Sequence, residues 1–356
     1  MSPPTLDPFP RGWYQAAFAQ DLAPGEVRPL RMLGQDLVLW RDTAGAPHVF
    51  DAFCAHLGAH LGYGGRVEGN VLRCPFHAWK YDGAGDCVEI PYSAKGLGRA
   101  RVRSHPVMER NGMLLWWWDP QAREPDWEVP EIAEWADPEW SDGYVRTHCW
   151  TIRSKWREIA ENGVDMTHFH YLHGVAAQPE LDGYHTDGPV WRSRTTHRFD
   201  TPLGQRPGSF QFELHGPGVG WQRFTIDGVA EVLFAISISQ IDVDFVTNRF
   251  SFLVPRQPLG SRAAQMTERL VQEIIDQVTD DVPIWEHKMI KDPPMLARGD
   301  GPIMAFRRWT QQFAASTGSP AGADRGAPVT GSEPSGALAA GSAAMSGGSG
   351  ASASPR

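Results

Sequence analysis

Two short segments of this chain each carry one cysteine and one histidine: Cys54-Ala55-His56 and, seventeen residues later, Cys74-Pro75-Phe76-His77. Four soft and borderline ligands in two mixed pairs demand a fold in which two tight loops face each other across a small inorganic centre. Cys-x-His and Cys-x2-His each place one thiolate and one imidazole within a single turn. That suits a [2Fe-2S] cluster in which cysteines hold one iron and histidines the other. Exchanging two thiolates for neutral imidazoles removes negative charge and lifts the reduction potential to roughly −150 to +300 mV. Pro75 fixes its own φ, and Gly64-Gly65 and Gly83 lie where turns are needed, so the loops read as the tips of paired hairpins. A chain built this way handles electrons.

Zinc and a disulfide are the competing readings. Structural zinc sites pair cysteine with cysteine and histidine with histidine, whereas each loop here is mixed. A Cys54–Cys74 disulfide needs an oxidising compartment, and nothing upstream looks secretory. Cys87 and Cys149 lack metal-like spacing and are expected to be buried structural thiols.

At 356 residues the chain is long enough for two compact domains, and its net charge of −9 argues against nucleic acid as a partner. The longest conspicuous apolar run, Met113 to Trp118, is strand-sized and far short of a transmembrane segment, so the expectation is a cytoplasmic protein. Residues 1–120 read as short strands broken by turns, an all-β unit delivering the cluster loops. Residues 121–143 are rich in proline and acid and contain Trp127, Trp135 and Trp140, which suggests a packed interdomain connection. Residues 144–314 form a second unit. Residues 315–356, dominated by Gly, Ser and Ala, cannot bury enough apolar surface to order and are expected to be a disordered tail without chemistry.

A second constellation lies in a stretch expected to be helical, Ile152 to His173, as Asp165-x2-His168-x4-His173. Asp165 and His168 share a helical face, but His168 and His173 differ by about 140° on an ideal helix. One metal can bind both only if the helix bends or ends, and Gly174 permits a termination. Two histidines with a distant carboxylate make the facial triad of a mononuclear non-haem Fe(II) site, which leaves positions open for O2. Such a site needs single electrons, which the first motif is suited to relay. His170, between the two, reads as a packing residue or one that supports a ligand from behind. Downstream, residues 184 to 255 read as sheet, with Phe210, Phe212, Phe234, Ile236, Ile238 and Phe250 on its apolar faces, chiefly as core. Ser261 can cap a helix whose apolar residues Met266, Leu270, Val271, Ile274, Ile275 and Val278 recur at three and four. That helix runs into Asp280-Asp281-Val282-Pro283-Ile284-Trp285, where Pro283 is expected to kink it.

On these motifs the chain resembles the Rieske non-haem iron oxygenases across roughly residues 10–313. The resemblance implies an α+β architecture: an N-terminal all-β Rieske domain, then a helix-grip (START-like) catalytic domain with a curved antiparallel sheet around a long C-terminal helix. It implies that Cys54, His56, Cys74 and His77 hold the [2Fe-2S] cluster, and that a carboxylate on the long helix joins His168 and His173 on iron. Asp-Val-x-Ile-Trp favours Asp281 over its neighbour Asp280. It further implies a head-to-tail homotrimer in which Asp165 bridges the cluster of one subunit to the iron of the next. O2 is then the co-substrate, and NAD(P)H supplies electrons through a separate ferredoxin or flavin reductase, since no dinucleotide-binding turn is visible. Asp300 to Ile303, Phe306 to Trp309, Gln312-Phe313, Ile90-Pro91-Tyr92 and Ile284-Trp285 are similar to the subgroup of 3-ketosteroid 9α-hydroxylases and cholesterol 7-desaturases. That implies a hydrophobic sterol or steroid substrate that is hydroxylated, desaturated or oxidatively demethylated. An aromatic acid or aryl ether is the alternative substrate, an electron-transfer-only protein the alternative role. Arg307 and Arg308 read on their own as an exposed charged turn of helix.

Overall fold

The computed structural model describes residues 9–93, 100–175, 177–201 and 204–314; the sequence expectation for the tail at 315–356 falls outside them. The chain opens with β1 (Gly12–Phe18), β2 (Val27–Met32), β3 (Gln35–Arg41) and β4 (Pro47–Asp51). The short strands β5 (Arg66–Glu68), β6 (Val71–Arg73), β7 (Lys80–Tyr81) and β8 (Cys87–Glu89) come next, then β9 (Ser104–His105), β10 (Val107–Arg110) and β11 (Met113–Trp118). They pair as three small antiparallel sheets, β2-β3-β4-β9, β5-β6-β7-β8 and β1-β11-β10. The four-stranded sheets share a core of Val38, Trp40, Phe50, Leu61, Leu72 and Tyr81 that also takes in Cys54 and Cys74.

The second unit is a seven-stranded antiparallel sheet. Its strands are β12 (Arg146–Ile152), β13 (Glu180–Asp187), β14 (Val190–Thr201), β15 (Gly204–His215), β16 (Val219–Ile226), β17 (Ala230–Gln240) and β18 (Val246–Leu253), in the order β12-β18-β17-β16-β15-β14-β13. Four helices accompany it: α1 (Trp156–Glu161), α2 (Thr167–Tyr171), α3 (Arg262–His287) and α4 (Ile303–Thr310). Ser261 caps α3, its Oγ accepting from the Ala264 amide at 3.1 Å. The apolar stripe Leu270, Val271, Ile274, Ile275 and Val278 packs on one face of the sheet against Phe210, Phe224, Phe234 and Phe250. The helix continues through Pro283 to His287.

The other sheet face is covered as well. Leu233, Ala235, Val219 and Leu253 pack against Trp13, Met113, Leu115 and Trp117 of the β1-β11-β10 sheet, with Val129, Ile132 and Trp140 of the connecting segment filling the seam. Strand β17 is therefore buried on both faces over almost its whole length, which is why its sequence alternates only in part. The connecting segment is packed as its tryptophans predict: Trp13 Nε1 donates to the Trp127 carbonyl at 2.7 Å.

Three local expectations are corrected. The stretch from Ile152 to His173 is not one helix: β12 ends at Ile152, α1 stops at Glu161, a 3-10 turn covers Asn162–Val164, and α2 begins at Thr167. Gly163 marks the break, since a Cβ there would sit 2.7 Å from the ring of Phe212. Cys149 is exposed, because β12 is an edge strand that turns Trp150 and Ile152 inward and the alternating Cys149 and Thr151 outward. Arg307 is buried, whereas Arg308 is exposed as expected. Among the described residues, no helix is long and apolar enough to cross a membrane.

Candidate active site

The first site is built by the two loops that the β4 and β6 strands deliver. In the first, the Cys54 amide donates to the Ala59 carbonyl at 2.9 Å and the Gly58 amide returns to the Cys54 carbonyl at 3.0 Å. In the second, the Cys74 amide donates to the Trp79 carbonyl at 2.8 Å, and Ala78 closes the turn at φ 59°, a left-handed conformation that a non-glycine residue holds only under constraint. Gly65, where the first loop returns, has no room for a side chain: a Cβ would lie 2.1 Å from the Leu61 carbonyl oxygen.

These turns set the two cysteines inward and the two histidines toward the surface. Cys54 and Cys74 are buried, all four cysteines are free thiols, and the His56 and His77 rings meet edge to face at 4.7 Å. Trp79 stacks on His56 at 4.5 Å and 6°. Burial pushes the Cys74 thiol up, and the Phe76 and His77 amides, which hydrogen-bond its sulfur, pull it back. Tyr81 presents its hydroxyl 3.0 Å from Cys54 Sγ while accepting from the Ala55 amide at 3.2 Å. Burial and then Cys54 hold that phenol protonated. His56 Nδ1 is buried and has no hydrogen-bond partner among the described residues. A buried nitrogen left without a partner, beside two buried thiols that loop amides and a phenol already solvate, fits an iron–sulfur cluster.

The second site gathers residues separated by more than a hundred positions. Ligand atoms of His168, His173 and Asp281 lie within 4.8 Å of one another, the only such group of three among the described residues. His168 stands on α2 and Asp281 on α3, where Asp281 is 3% exposed and Asp280 faces solvent. The angular conflict between His168 and His173 disappears because α2 ends at Tyr171 and Gly174 reverses the chain at φ 68°. His173 Nε2 comes 3.4 Å from Asp281 Oδ1.

Asp165 organises the entrance to α2. Its Oδ1 accepts from the Thr167 amide at 3.1 Å, and its carbonyl oxygen lies 2.7 Å from His168 Nδ1. A carbonyl can only accept, so Nδ1 carries the proton and Nε2 keeps a lone pair for a metal. Burial raises the Asp165 carboxyl, but His168 and the amides of Thr167 and His168 outweigh it and hold the group below the usual carboxylate range. His170 lies outside the group of three, its Nδ1 2.6 Å from the Val175 carbonyl.

Sequence reasoning missed Asn162. Its Nδ2 donates to Asp281 Oδ2 at 3.0 Å and lies 3.1 Å from His168 Nε2, tying two of the three side chains together. Residue spacing gave no hint, because the helix break at Gly163 is what turns Asn162 inward. It also missed the Glu161–Arg307 pair, bidentate at 2.5 and 2.7 Å, which locks α1 to α4 directly before Asn162.

Over the three residues sits a cavity of about 70 Å³. Its walls include Phe210, Phe212, Phe234, Ile236, Ile238 and Phe250, so the residues expected as core are core and cavity wall at once. Polar character comes from Gln222, Gln277 and Asn248, whose Oδ1 is buried without a partner among the described residues; no arginine or lysine lines the cavity among them. The donor set is two imidazoles and one carboxylate beside an apolar, aromatic space. That fits a mononuclear iron centre acting on an apolar molecule.

The Rieske [2Fe-2S] domain family model matches residues 12–106, and the 3-Ketosteroid 9alpha-hydroxylase C-terminal domain model matches residues 116–314. The oxygenase component of a 3-ketosteroid-9-alpha-monooxygenase of Rhodococcus rhodochrous is 34% identical over 328 residues, covering 86% of this chain and 84% of that protein. A cholesterol 7-desaturase of Caenorhabditis elegans is 30% identical over 338 residues, covering 86% and 77%. Among solved structures, Pseudomonas putida CBB5 NdmA with caffeine superposes with a TM-score of 0.67 at 19% identity, over 84% of this chain and 89% of that one. Dicamba monooxygenase bound to dicamba gives 0.62 at 19%, over 85% and 96%; both likenesses speak to the fold.

Proposed function

This chain belongs to the Rieske non-haem iron oxygenases, and from that premise we propose that it is the oxygenase component of a multicomponent monooxygenase oxidising a C–H bond of a sterol or steroid. The observation that carries the substrate class is the cavity: its walls are phenylalanine and isoleucine, its few polar groups are uncharged amides, and it opens onto the buried carboxylate and two imidazoles. The two relatives described above act, by their names, on 3-ketosteroids and cholesterol. An aromatic acid is disfavoured by the same lining, which offers its carboxylate no cation among the described residues.

We assign the residues as follows. Cys54 and Cys74 hold one cluster iron and His56 and His77 the other; His168, His173 and Asp281 hold the mononuclear iron; the domain boundaries lie at residues 120, 143 and 314. When bound, the two iron groups supply single-electron relay and O2 reduction. For a hydroxylation, substrate, one O2, two electrons and two protons become an alcohol and one water; a desaturation yields an alkene and two waters. The electrons come from NAD(P)H through a separate reductase, a supply that favours a cytoplasmic location.

The protein's own part is placement. Asp165 fixes the His168 tautomer through its carbonyl and caps α2 with its carboxylate. Asn162 holds Asp281 and His168 in mutual register. Phenylalanine walls seat an apolar skeleton and keep water away from the reacting carbon. The partly exposed carboxylate of Asp165, with His56 and His77 near the surface, supports a head-to-tail homotrimer in which electrons cross between subunits. Aerobic incubation with a surrogate reductase, NADH and a steroid panel, read by mass spectrometry, tests the reading. A gain of one oxygen or a loss of two hydrogens on a steroid is the expected result. Coupled oxidation of an aromatic acid with no steroid product would defeat it.

A further inference from the structure

A second chamber, of about 200 Å³, lies beside the iron-side cavity and shares Phe169, Phe224, Gln277 and His173 with it as a common wall. His197 on β14 lines this chamber and is 3% exposed, whereas its neighbour Arg198, also in the lining, is exposed on the alternate face of the strand. Its Nε2 is 2.7 Å from Thr195 Oγ1, but its Nδ1 is buried and has no partner among the described residues. The ring stacks on Phe199 at 5.5 Å and stands 5.8 Å from Phe169 and 6.4 Å from Phe210 and Phe224. Burial, against the pull of Asp182, lowers its pKa to about 4, so the imidazole is neutral near pH 7.

A neutral imidazole has one donor and one acceptor nitrogen, and leaving one of them buried and empty is a desolvation cost that a ligand atom would relieve. The iron-side cavity holds a comparable orphan, Asn248 Oδ1 on β18. Strands β18 and β14 are four places apart in the sheet, roughly 19 Å at about 4.8 Å per strand, less the reach of two inward side chains. Aromatic rings fill the interval. The two chambers together fall short of the roughly 300 Å³ at the small end of ligand sites.

We infer that the two chambers form one elongated substrate site when Phe169 and Phe224 turn aside, and that His197 is a specificity-determining residue that hydrogen-bonds an oxygen function at the substrate end lying in the second chamber. This rests on the steroid reading and narrows it: the molecule that suits the site carries a ketone or hydroxyl at that end.

The test compares wild type with His197→Phe on pairs of steroids that differ only by an oxygen function at one end of the skeleton. Substrate dissociation constants, KM and kcat are measured with cluster absorbance and iron content as folding controls. For one end, wild type should prefer the oxygenated member about tenfold, the size of a lost hydrogen bond of about 1.4 kcal/mol. His197→Phe should lose that preference through KM, with kcat and iron content kept. Ketone and alcohol members separate the ring's roles: a donating Nδ1 takes both, an accepting one takes the alcohol alone. Equal weakening of both members, or an undiminished preference, overturns the inference. If His197→Phe does not hold its irons, His197→Gln decides, since its amide should keep part of the preference; an equal shift for both members would count against the idea. A wild type that turns over no steroid removes the substrate reading itself, and this one with it, before any variant is compared.

Discussion

The two metal-suited sites of this molecule are built on opposite plans. The cluster loops bring four side chains together within 24 consecutive residues, Cys54 to His77, by turn chemistry alone, and leave both histidines near the surface. The candidate mononuclear site takes two residues from a broken helical segment and one from a helix more than a hundred residues on, and buries the carboxylate. A local site is only as good as its turns, whereas a distributed one is only as good as the packing that holds its elements in register. The sharpest way to break the contrast is at Asp281. Asp281→Asn should remove mononuclear iron and cut product formation by more than about 100-fold, beyond the 10–100-fold typical of losing a residue that merely supports a ligand. The absorbance of the cluster should stay. Asp280→Asn, one position away but solvent-facing, should leave turnover near wild type. Equal losses in the two variants would show that the buried carboxylate is not the third ligand.

The same contrast explains what could be read from the sequence. That the loops of Cys54, His56, Cys74 and His77 would meet was legible because turn geometry is local. So were the Ser261 cap and the apolar stripe of α3, where a 3.6 period states its own face. Asn162 was not, because its orientation comes from Gly163 yielding space to Phe212 on β15, a contact that no spacing encodes. Arg307 was misread as surface for the same reason: its partner Glu161 lies 146 positions earlier. Preferring Asp281 to Asp280 rested on the family resemblance; in the structure Asp281 is buried and Asp280 faces solvent.

Next in size is that buried pair. Arg307 forks onto Glu161 and also donates to the Lys291 carbonyl at 2.6 Å, with both charged side chains 8% exposed. Arg307→Met leaves Glu161 buried and unpaired, and should cost about 3–5 kcal/mol of stability in the catalytic unit. Denaturant unfolding followed at tryptophan, set against bleaching of the cluster, should show the catalytic unit failing first. If both transitions move together, the two units are not energetically separable and the contrast between their construction loses its meaning.

A smaller effect probes the local site. Tyr81→Phe removes the phenol 3.0 Å from Cys54 Sγ, a hydrogen bond of about 1 kcal/mol that is stronger to the more negative reduced centre. The cluster's potential should fall by about 40 mV, on the scale of 59 mV per tenfold change for one electron. Turnover should slow only as far as that drop in driving force requires, and the mononuclear iron content should not change. An unaltered potential would mean that the phenol serves the loop's backbone through the Ala55 amide alone.

The smallest expected effect concerns acid. The His197 pKa is lowered to about 4 by burial, whereas an unfolded histidine titrates near 6.5. Between those values the unfolded chain binds the proton that the folded chain refuses, so stability rises with pH there and falls on acidification. The sign is opposite to that of a histidine held by a carboxylate, whose contribution is lost as pH rises. From pH 6.5 to 5.5 the wild type should lose about 1 kcal/mol that His197→Phe does not, measured as the difference between their denaturant midpoints at each pH. A variant that loses stability in parallel with wild type would place the acid sensitivity elsewhere, and would mean that the His197 ring takes up its proton in the folded state without cost.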